Sequence, residues 1–244
     1  MDKIKAKILI LVEGPKTDTK LMNHLLEVYG INQSHQIVSY NTNIYALYNQ
    51  MFRDGNPQDI DLLQLLKEHE KNPIIKKIFD EKYSDILLIF DLDPQDPLYS
   101  EDKIKCMMEY FVESSDMGKL YLNYPMVEAF YHMKSIPDED YPSYTATFDE
   151  LCSHQYKTRV SLENRNHDYT KFAINRSECN TVIRQNIDKA CMIVGSSRTF
   201  PLIPDSIDIL NSQIEKLKLC NEVYVLCTCA FYIADYNPKL LMGD

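Results

Sequence analysis

Apolar and polar positions alternate along the first 135 residues in blocks that predict short buried strands separated by helices. Four apolar runs bounded by turn residues have the pattern of strands covered on both faces. They lie at 7–12, 37–40, 85–90 and 119–123. Between them, apolar residues recur at the three- and four-residue spacing of amphipathic helices, at 17–29, 44–52, 58–70, 73–79 and 100–114. One more helix is predicted directly after Pro125.

The pattern changes beyond Ile136, where a polar, proline-bearing stretch begins. Helical spacing then dominates and no convincing strand is visible; the predicted helices are 147–156, 168–178, 180–194, 206–219 and 222–235. Alternating strands and helices indicate an α/β fold. We therefore predict a parallel sheet of about four strands flanked by helices over 1–136. A mostly helical C-terminal domain or extension is predicted over 137–244.

Composition narrows the class of protein. Hydrophobic residues make up 45% of the chain, as in ordinary globular proteins, and the net charge of −10 argues against a surface that tracks phosphates throughout. Seven cysteines without a CxxC pair indicate reduced core residues. The N-terminus lacks the anatomy of a signal peptide, and the longest apolar stretch, about a dozen residues, is too short to span a bilayer. We expect a cytoplasmic protein without membrane contact.

One segment of the second half departs from the acidic average. Residues 155–200 contain eight basic and four acidic residues, so the segment carries +4 within a chain of −10. Its basic residues are Lys157, Arg159, Arg165, Lys171, Arg176, Arg184, Lys189 and Arg198. Such an asymmetry is typical of a phosphate-facing surface. Solvated faces of amphipathic helices would give the same pattern, and the sequence leaves both interpretations open.

Acidic residues follow two of the predicted strands at their carboxyl ends. Glu13 follows the first strand, and Asp91 and Asp93 follow the third. Carboxyl ends of parallel strands meet at one edge of a sheet, where open α/β sheets bind ligands. On a continuing strand, Asp91 and Asp93 would point to the same side. Because Mg²⁺ and Mn²⁺ prefer carboxylate oxygens, the sequence predicts a divalent-metal site formed by these three residues.

Three more acids are candidate ligands. We expect Asp18 to hold the metal together with the first three, and Asp96 and Glu128 to support it. Asp18 would join from the first turn of the first helix, Asp96 from the loop after the third strand, and Glu128 from the helix after the fourth. Each acid also has a structural interpretation. Asp18 could favour the positive end of its helix, Glu128 could be a surface residue, and Asp93, which precedes Pro94, could be a turn residue.

The motifs VEGPKTD, at 12–18, and LLIFDLDPQD, at 87–96, resemble the Toprim domain. With NYPMVEAF, at 123–130, they look most similar to stand-alone Toprim proteins of phage defence, the RloB-type and OLD-associated nucleases. The resemblance covers roughly residues 7–135. It implies that Glu13 is a metal ligand or general base and that Asp91 and Asp93 bind metal. Asp18 and Glu128 match further acidic positions of the family.

The resemblance also implies a function. It indicates a Mg²⁺- or Mn²⁺-dependent endonuclease that cleaves RNA or DNA and acts as a toxic effector in abortive infection. An ABC-like or OLD-like ATPase partner and a homodimer are further expectations. The basic residues expected to position the nucleic acid are Lys16, Lys157, Arg159, Arg165, Lys171 and Arg176. The alternative is a non-catalytic subunit that keeps the Toprim frame as a scaffold for protein interactions.

Overall fold

The computed structural model describes residues 7–52, 60–115, 117–197 and 200–242, and a four-stranded sheet organises the first half of the chain. The strands are β1 (Ile8–Val12), β2 (His35–Ser39), β3 (Asp85–Asp91) and β4 (Lys119–Asn123). Their order is β2-β1-β3-β4, and all three neighbouring pairs are parallel. All five residues of β1 are buried, as expected for an inner strand of a parallel sheet. The predicted α/β fold with about four parallel strands is confirmed.

Among the described residues, five helices connect these strands: α1 (Thr17–Val28), α2 (Ile44–Met51), α3 (Leu62–His69), α4 (Pro73–Ile78) and α5 (Glu101–Tyr110). The first of them packs on the sheet through Leu21, Met22, Leu25 and Leu26, which are buried. Polar side chains begin the other four by accepting a backbone N–H of the first turn, as N-caps do; they are Asn43, Asp61, Asn72 and Ser100. The first two residues of the helix predicted over 58–70 lie outside the described residues.

The C-terminal half is mostly helical, as predicted. Its helices are α6 (Phe148–Cys152), α7 (Gln155–Glu163), α8 (Arg176–Ile193), α9 (Ser206–Cys220) and α10 (Tyr232–Tyr236). The prediction that this half contains no strand is wrong. Strands β5 (Thr145–Thr147) and β6 (Glu222–Tyr224) pair in an antiparallel ribbon, with Ala146 opposite Val223. Three-residue strands are too short to show an alternating pattern, and their pairing joins segments far apart in the sequence.

Three predicted helices differ from the helices in the structure. The helix over 147–156 is divided between α6 and α7 because His154 adopts a left-handed conformation. In place of the helix over 168–178 there is one 3₁₀ turn, Tyr169–Lys171, before Asn175 caps α8. Within 222–235, only the segment from Tyr232 onward forms an α-helix. Apolar spacing alone therefore did not distinguish helices from buried loops here.

A 3₁₀ helix, Val127–Tyr131, takes the place of the α-helix predicted after Pro125. Its preceding residue, Met126, is extended, and the Ala129 N–H donates to the Met126 carbonyl oxygen at a spacing of three residues. All five residues of the turn are buried. A segment enclosed in this way gains its stability from tertiary packing and does not need the regular α-helical ladder.

Residues of the two halves pack against each other. Tyr124 pairs with Leu226 in an isolated antiparallel bridge, Tyr29 donates to the Asn180 side chain, and the Cys229 N–H donates to Asn123 Oδ1. The division at 136/137 into two domains stays a prediction. Within the described ranges, no helix has both the length and the apolar character that crossing a membrane requires.

Candidate metal centre

The carboxyl ends of β1 and β3 lie side by side, and hydrogen bonds hold Glu13 next to the end of β3. Val12 is paired with Ile89, and the Glu13 N–H donates to the Ile89 carbonyl oxygen at 3.0 Å. In return, the Asp91 N–H donates to Glu13 Oε2 at 3.2 Å. These two bonds are possible because β1 and β3 are adjacent and parallel, so their ends reach the same edge.

Glu13, Asp91 and Asp93 converge at this edge. Each contributes a carboxylate oxygen, and the three oxygens lie within 4.8 Å of one another. The Asp91 side chain is largely enclosed, with the residue only 7% exposed. Three hard oxygen donors at this separation can hold a divalent cation. The structure thus brings together the three residues that the sequence predicted as the core of a metal site.

Asp93 reaches the cluster by a different route from the one expected. The strand ends at Asp91, so the alternation of a continuing strand does not orient Asp93. Instead, Asp93 adopts a positive φ of 38°, its N–H donates to the Pro125 carbonyl oxygen, and its Oδ1 accepts from Gln95 Nε2. Positive φ is costly for a residue other than glycine and occurs where the surroundings enforce it. Asp93 is therefore a turn residue and also a member of the acidic cluster, so both interpretations of the sequence apply to it.

Asp18 and Glu128 lie beside this group and are both buried. One oxygen of each, Asp18 Oδ1 and Glu128 Oε2, has no hydrogen-bond partner among the described residues. A Cβ atom on Gly14 would lie 2.6 Å from Asp18 Oδ2, so a glycine here lets the Asp18 carboxylate approach the β1 turn. Glu128 is 4% exposed, so the interpretation of Glu128 as a surface residue is wrong.

Asp96, in contrast, already has partners for both oxygens. Its Oδ2 accepts from Asn43 Nδ2 and its Oδ1 accepts from the Leu98 N–H, each at 2.7 Å. Asp96 therefore connects the loop after β3 to the beginning of α2. It lies outside the group of three converging oxygens, and its role as a supporting ligand stays a prediction.

The pKa values of these carboxyl groups are raised, which shows that the protein by itself does not compensate their negative charges. Burial, followed by repulsion from Asp93, raises the pKa of Glu13 to about 8, against the opposing effect of the Asp91 N–H. Burial is also the main cause that raises the pKa of Asp18 to about 6 and that of Asp91 well above its usual range. The pKa of Asp93 is raised for the same reason. A bound cation would remove most of this repulsion.

The ammonium group of Lys157 approaches the cluster. Its Nζ lies 3.1 Å from Glu128 Oε1. Although burial lowers the pKa of Lys157, the negative charges of Glu128, Asp91 and Asp93 outweigh that effect and raise it. Within the described ranges, none of Glu13, Asp18, Asp91 and Asp93 forms an ion pair with a lysine or arginine. Negative charge in excess, with unpartnered buried oxygens, fits a divalent cation coordinated by oxygen atoms.

Most of the residues predicted to bind nucleic acid have partners within the protein. Arg159 pairs with Glu150, Arg165 with Glu178, and Lys171 with Asp168, while Arg176 donates to the Leu240 carbonyl oxygen. Lys16, in contrast, is exposed beside the metal centre. Arg198 lies outside the described residues. The role of these residues in nucleic-acid binding stays a prediction.

Asn123 is a site residue that the sequence reasoning did not assign. It ends β4 opposite Asp91, and its Nδ2 donates to Asp91 Oδ1 at 3.2 Å. Its own Oδ1 accepts from the Cys229 N–H. The sequence did contain a signal for this role, because Asn123 is a polar residue at the end of a predicted strand. A group that orients a metal ligand must lie at the same edge of the sheet as that ligand.

No family model, curated protein or solved structure matches the chain.

Proposed function

We propose that this protein is a divalent-metal-dependent nuclease that cleaves phosphodiesters of RNA or DNA. The convergence of Glu13, Asp91 and Asp93 carries the proposal, because their oxygens meet within 4.8 Å and lack a lysine or arginine partner among the described residues. Ionised carboxylates that are buried or partly buried in this state are costly to maintain unless a cation binds them. The sequence resemblance to Toprim nucleases supports the same chemistry.

In this proposal, Glu13, Asp91 and Asp93 hold the metal, and Asp18 and Glu128 support it. A bound Mg²⁺ or Mn²⁺ supplies Lewis-acid stabilisation of the charge that develops on phosphoryl oxygens during an in-line displacement. Asn123 orients Asp91 through its Nδ2 donor. Lys157 holds Glu128 in place and presents an ammonium group to an incoming phosphate. The role of toxic effector under an ATPase partner is proposed from the resemblance alone.

Replacing Asp91 by asparagine tests the metal centre. We expect Asp91→Asn to fold, because the buried carboxyl group is replaced by a neutral group of the same shape, and to lose saturable Mn²⁺ binding in calorimetry. Cleavage of tRNA, rRNA or plasmid DNA in Mn²⁺ should fall by about 1,000-fold or more, since several kcal/mol of charge stabilisation are lost. Asp102→Asn, on the exposed side of α5, is the control and should match the unmodified protein. Cleavage that persists in EDTA would contradict the proposal.

A second candidate function is a non-catalytic interaction subunit. The Lys157–Glu128 ion pair favours it, because this pair already neutralises one acid of the region without a metal. The same calorimetric titration separates the two functions. Saturable Mn²⁺ binding that disappears in Asp91→Asn supports the nuclease, and absence of saturable binding in the unmodified protein supports the scaffold.

A further inference from the structure

A cleft of about 450 Å³ lies between the beginning of α1 and the loop that follows α7. Lys16, Lys20 and His24 line one side. These residues are spaced by four, so they share one face of the helix. Tyr131 and Tyr169 line the other side. The cleft therefore combines a row of basic side chains with an aromatic wall.

The cleft adjoins the metal centre through the chain itself. Thr17 lines the cleft, and the next residue, Asp18, belongs to the acidic region. On the opposite side, Tyr131 ends the 3₁₀ helix that carries Glu128. The cleft is therefore bordered by the two chain segments that carry Asp18 and Glu128.

The two lysines of the cleft differ from the basic residues of the C-terminal half. Within the described ranges, neither Lys16 nor Lys20 forms an ion pair, and both are exposed. Two exposed ammonium groups next to an acidic cluster are available to a bound anion. Phosphate groups are the anions that such lysines bind as point charges.

The aromatic wall is held in place before any ligand binds. The Tyr131 and Tyr169 rings stack with centroids 4.2 Å apart and planes inclined by 4°. Phe172 packs edge-on against Tyr131. His24 Nε2 donates to the Ala173 carbonyl oxygen at 2.8 Å and ties the loop to α1. A wall fixed in this way loses little conformational entropy when a planar ring packs against it.

We propose that this cleft binds one nucleotide unit of a single-stranded nucleic acid, with its base against the partly exposed Tyr169 and its phosphate at Lys16 and Lys20. Tyr131 is only 5% exposed and supports the Tyr169 ring from behind. This inference rests on the proposed nuclease function and specifies its substrate as a single strand. Bases of a duplex are paired and stacked on one another, whereas bases of a single strand can turn aside and stack on aromatic side chains. The cleft would position the strand so that a neighbouring phosphodiester reaches the carboxylates.

The test measures binding of a short fluorescent single strand by anisotropy in EDTA, where cleavage does not interfere. Lys16→Gln and Lys20→Gln should each weaken binding and reduce the slope of log affinity against log salt by about 0.7, the value for one lost phosphate contact to a single strand. Tyr169→Leu should weaken binding by about 10-fold, and Tyr169→Phe should retain it, because stacking requires the ring and not the hydroxyl. Lys82→Gln and Tyr236→Leu, away from the cleft and exposed, are matched controls.

Three results would overturn the inference: unchanged binding in the lysine and Tyr169 variants, tighter binding of a duplex of the same sequence, or a free mononucleotide that binds as tightly as the strand. Asp91→Asn separates this inference from the proposed function. If that variant and the unmodified protein lack metal-dependent cleavage while the cleft variants still weaken strand binding, the nuclease proposal fails and the cleft stands. If cleavage depends on Asp91 but the cleft variants bind the strand as tightly as the unmodified protein, only the assignment of the cleft fails.

Discussion

The acidic edge of the sheet and the basic segment 155–200 both stand out by charge in the sequence. In the structure they differ in whether their charges have partners of opposite sign. At the edge, Glu13, Asp91 and Asp93 are brought together without a lysine or arginine partner among the described residues. In the basic segment, Arg159 and Arg165 pair with glutamates. A charge that already has a partner is less available to a ligand. Local compensation of charge, and not the number of charges, therefore distinguishes a candidate site.

The largest expected effect concerns the dependence of stability on pH at the acidic edge. The pKa of Glu13 is raised from 4.5 to about 8 in the folded protein, so the folded state binds more protons than the unfolded state between these values. Stability must therefore fall as pH rises through this window. At about 1.4 kcal/mol per pKa unit, the free energy of unfolding in EDTA should drop by roughly 4 kcal/mol between pH 5 and pH 8.

Urea denaturation at both pH values measures this drop. Saturating Mn²⁺ should restore stability at pH 8, and Glu13→Gln should show a smaller drop and less recovery, since it lacks the titrating group. An equal drop in the variant and the unmodified protein would show that Glu13 is not the origin of the effect.

A smaller effect is expected where the two regions meet, at Lys157. Replacing it by glutamine leaves the buried Glu128 without its ion-pair partner. Because Lys157 itself is exposed, the expected loss of stability in EDTA is about 2 kcal/mol, below the range for a fully buried pair. Mn²⁺ should reduce this loss, since a cation at the cluster would again compensate Glu128. A loss that Mn²⁺ does not change would place Glu128 outside the electrostatic reach of the metal.

The smallest effect is expected within the basic segment. Arg165→Gln removes a partly exposed ion pair with Glu178, and such pairs contribute within about 1 kcal/mol. The stability change should be the same in EDTA and in Mn²⁺, and strand binding should remain unchanged because Arg165 is already paired. A large loss of strand binding in this variant would restore the basic segment as the phosphate-binding surface.

Several features of the site were accessible from the sequence. Apolar runs that end in Glu13 and in Asp91 predicted two strands with acids at one edge, because parallel strands place their carboxyl ends together. Other features were not accessible. Asp93 reaches the cluster in a left-handed conformation in which its N–H donates to the Pro125 carbonyl oxygen. Pro125 follows β4, whereas Asp93 follows β3. The pairing of β5 with β6 likewise depends on contacts across almost eighty residues of chain.

The sequence by itself determined the parallel sheet and the position of its acids. Hydrophobic periodicity and the ends of strands are local properties, so they can be read without knowing which side chains meet in the folded protein. The tertiary structure alone decided which charges remain uncompensated. It paired Arg159 and Arg165 with glutamates, left Lys16 and Lys20 exposed, and stacked Tyr131 on Tyr169 beside the carboxylates. The physical reason is that compensation and stacking depend on distances between side chains far apart along the chain, and only folding sets those distances.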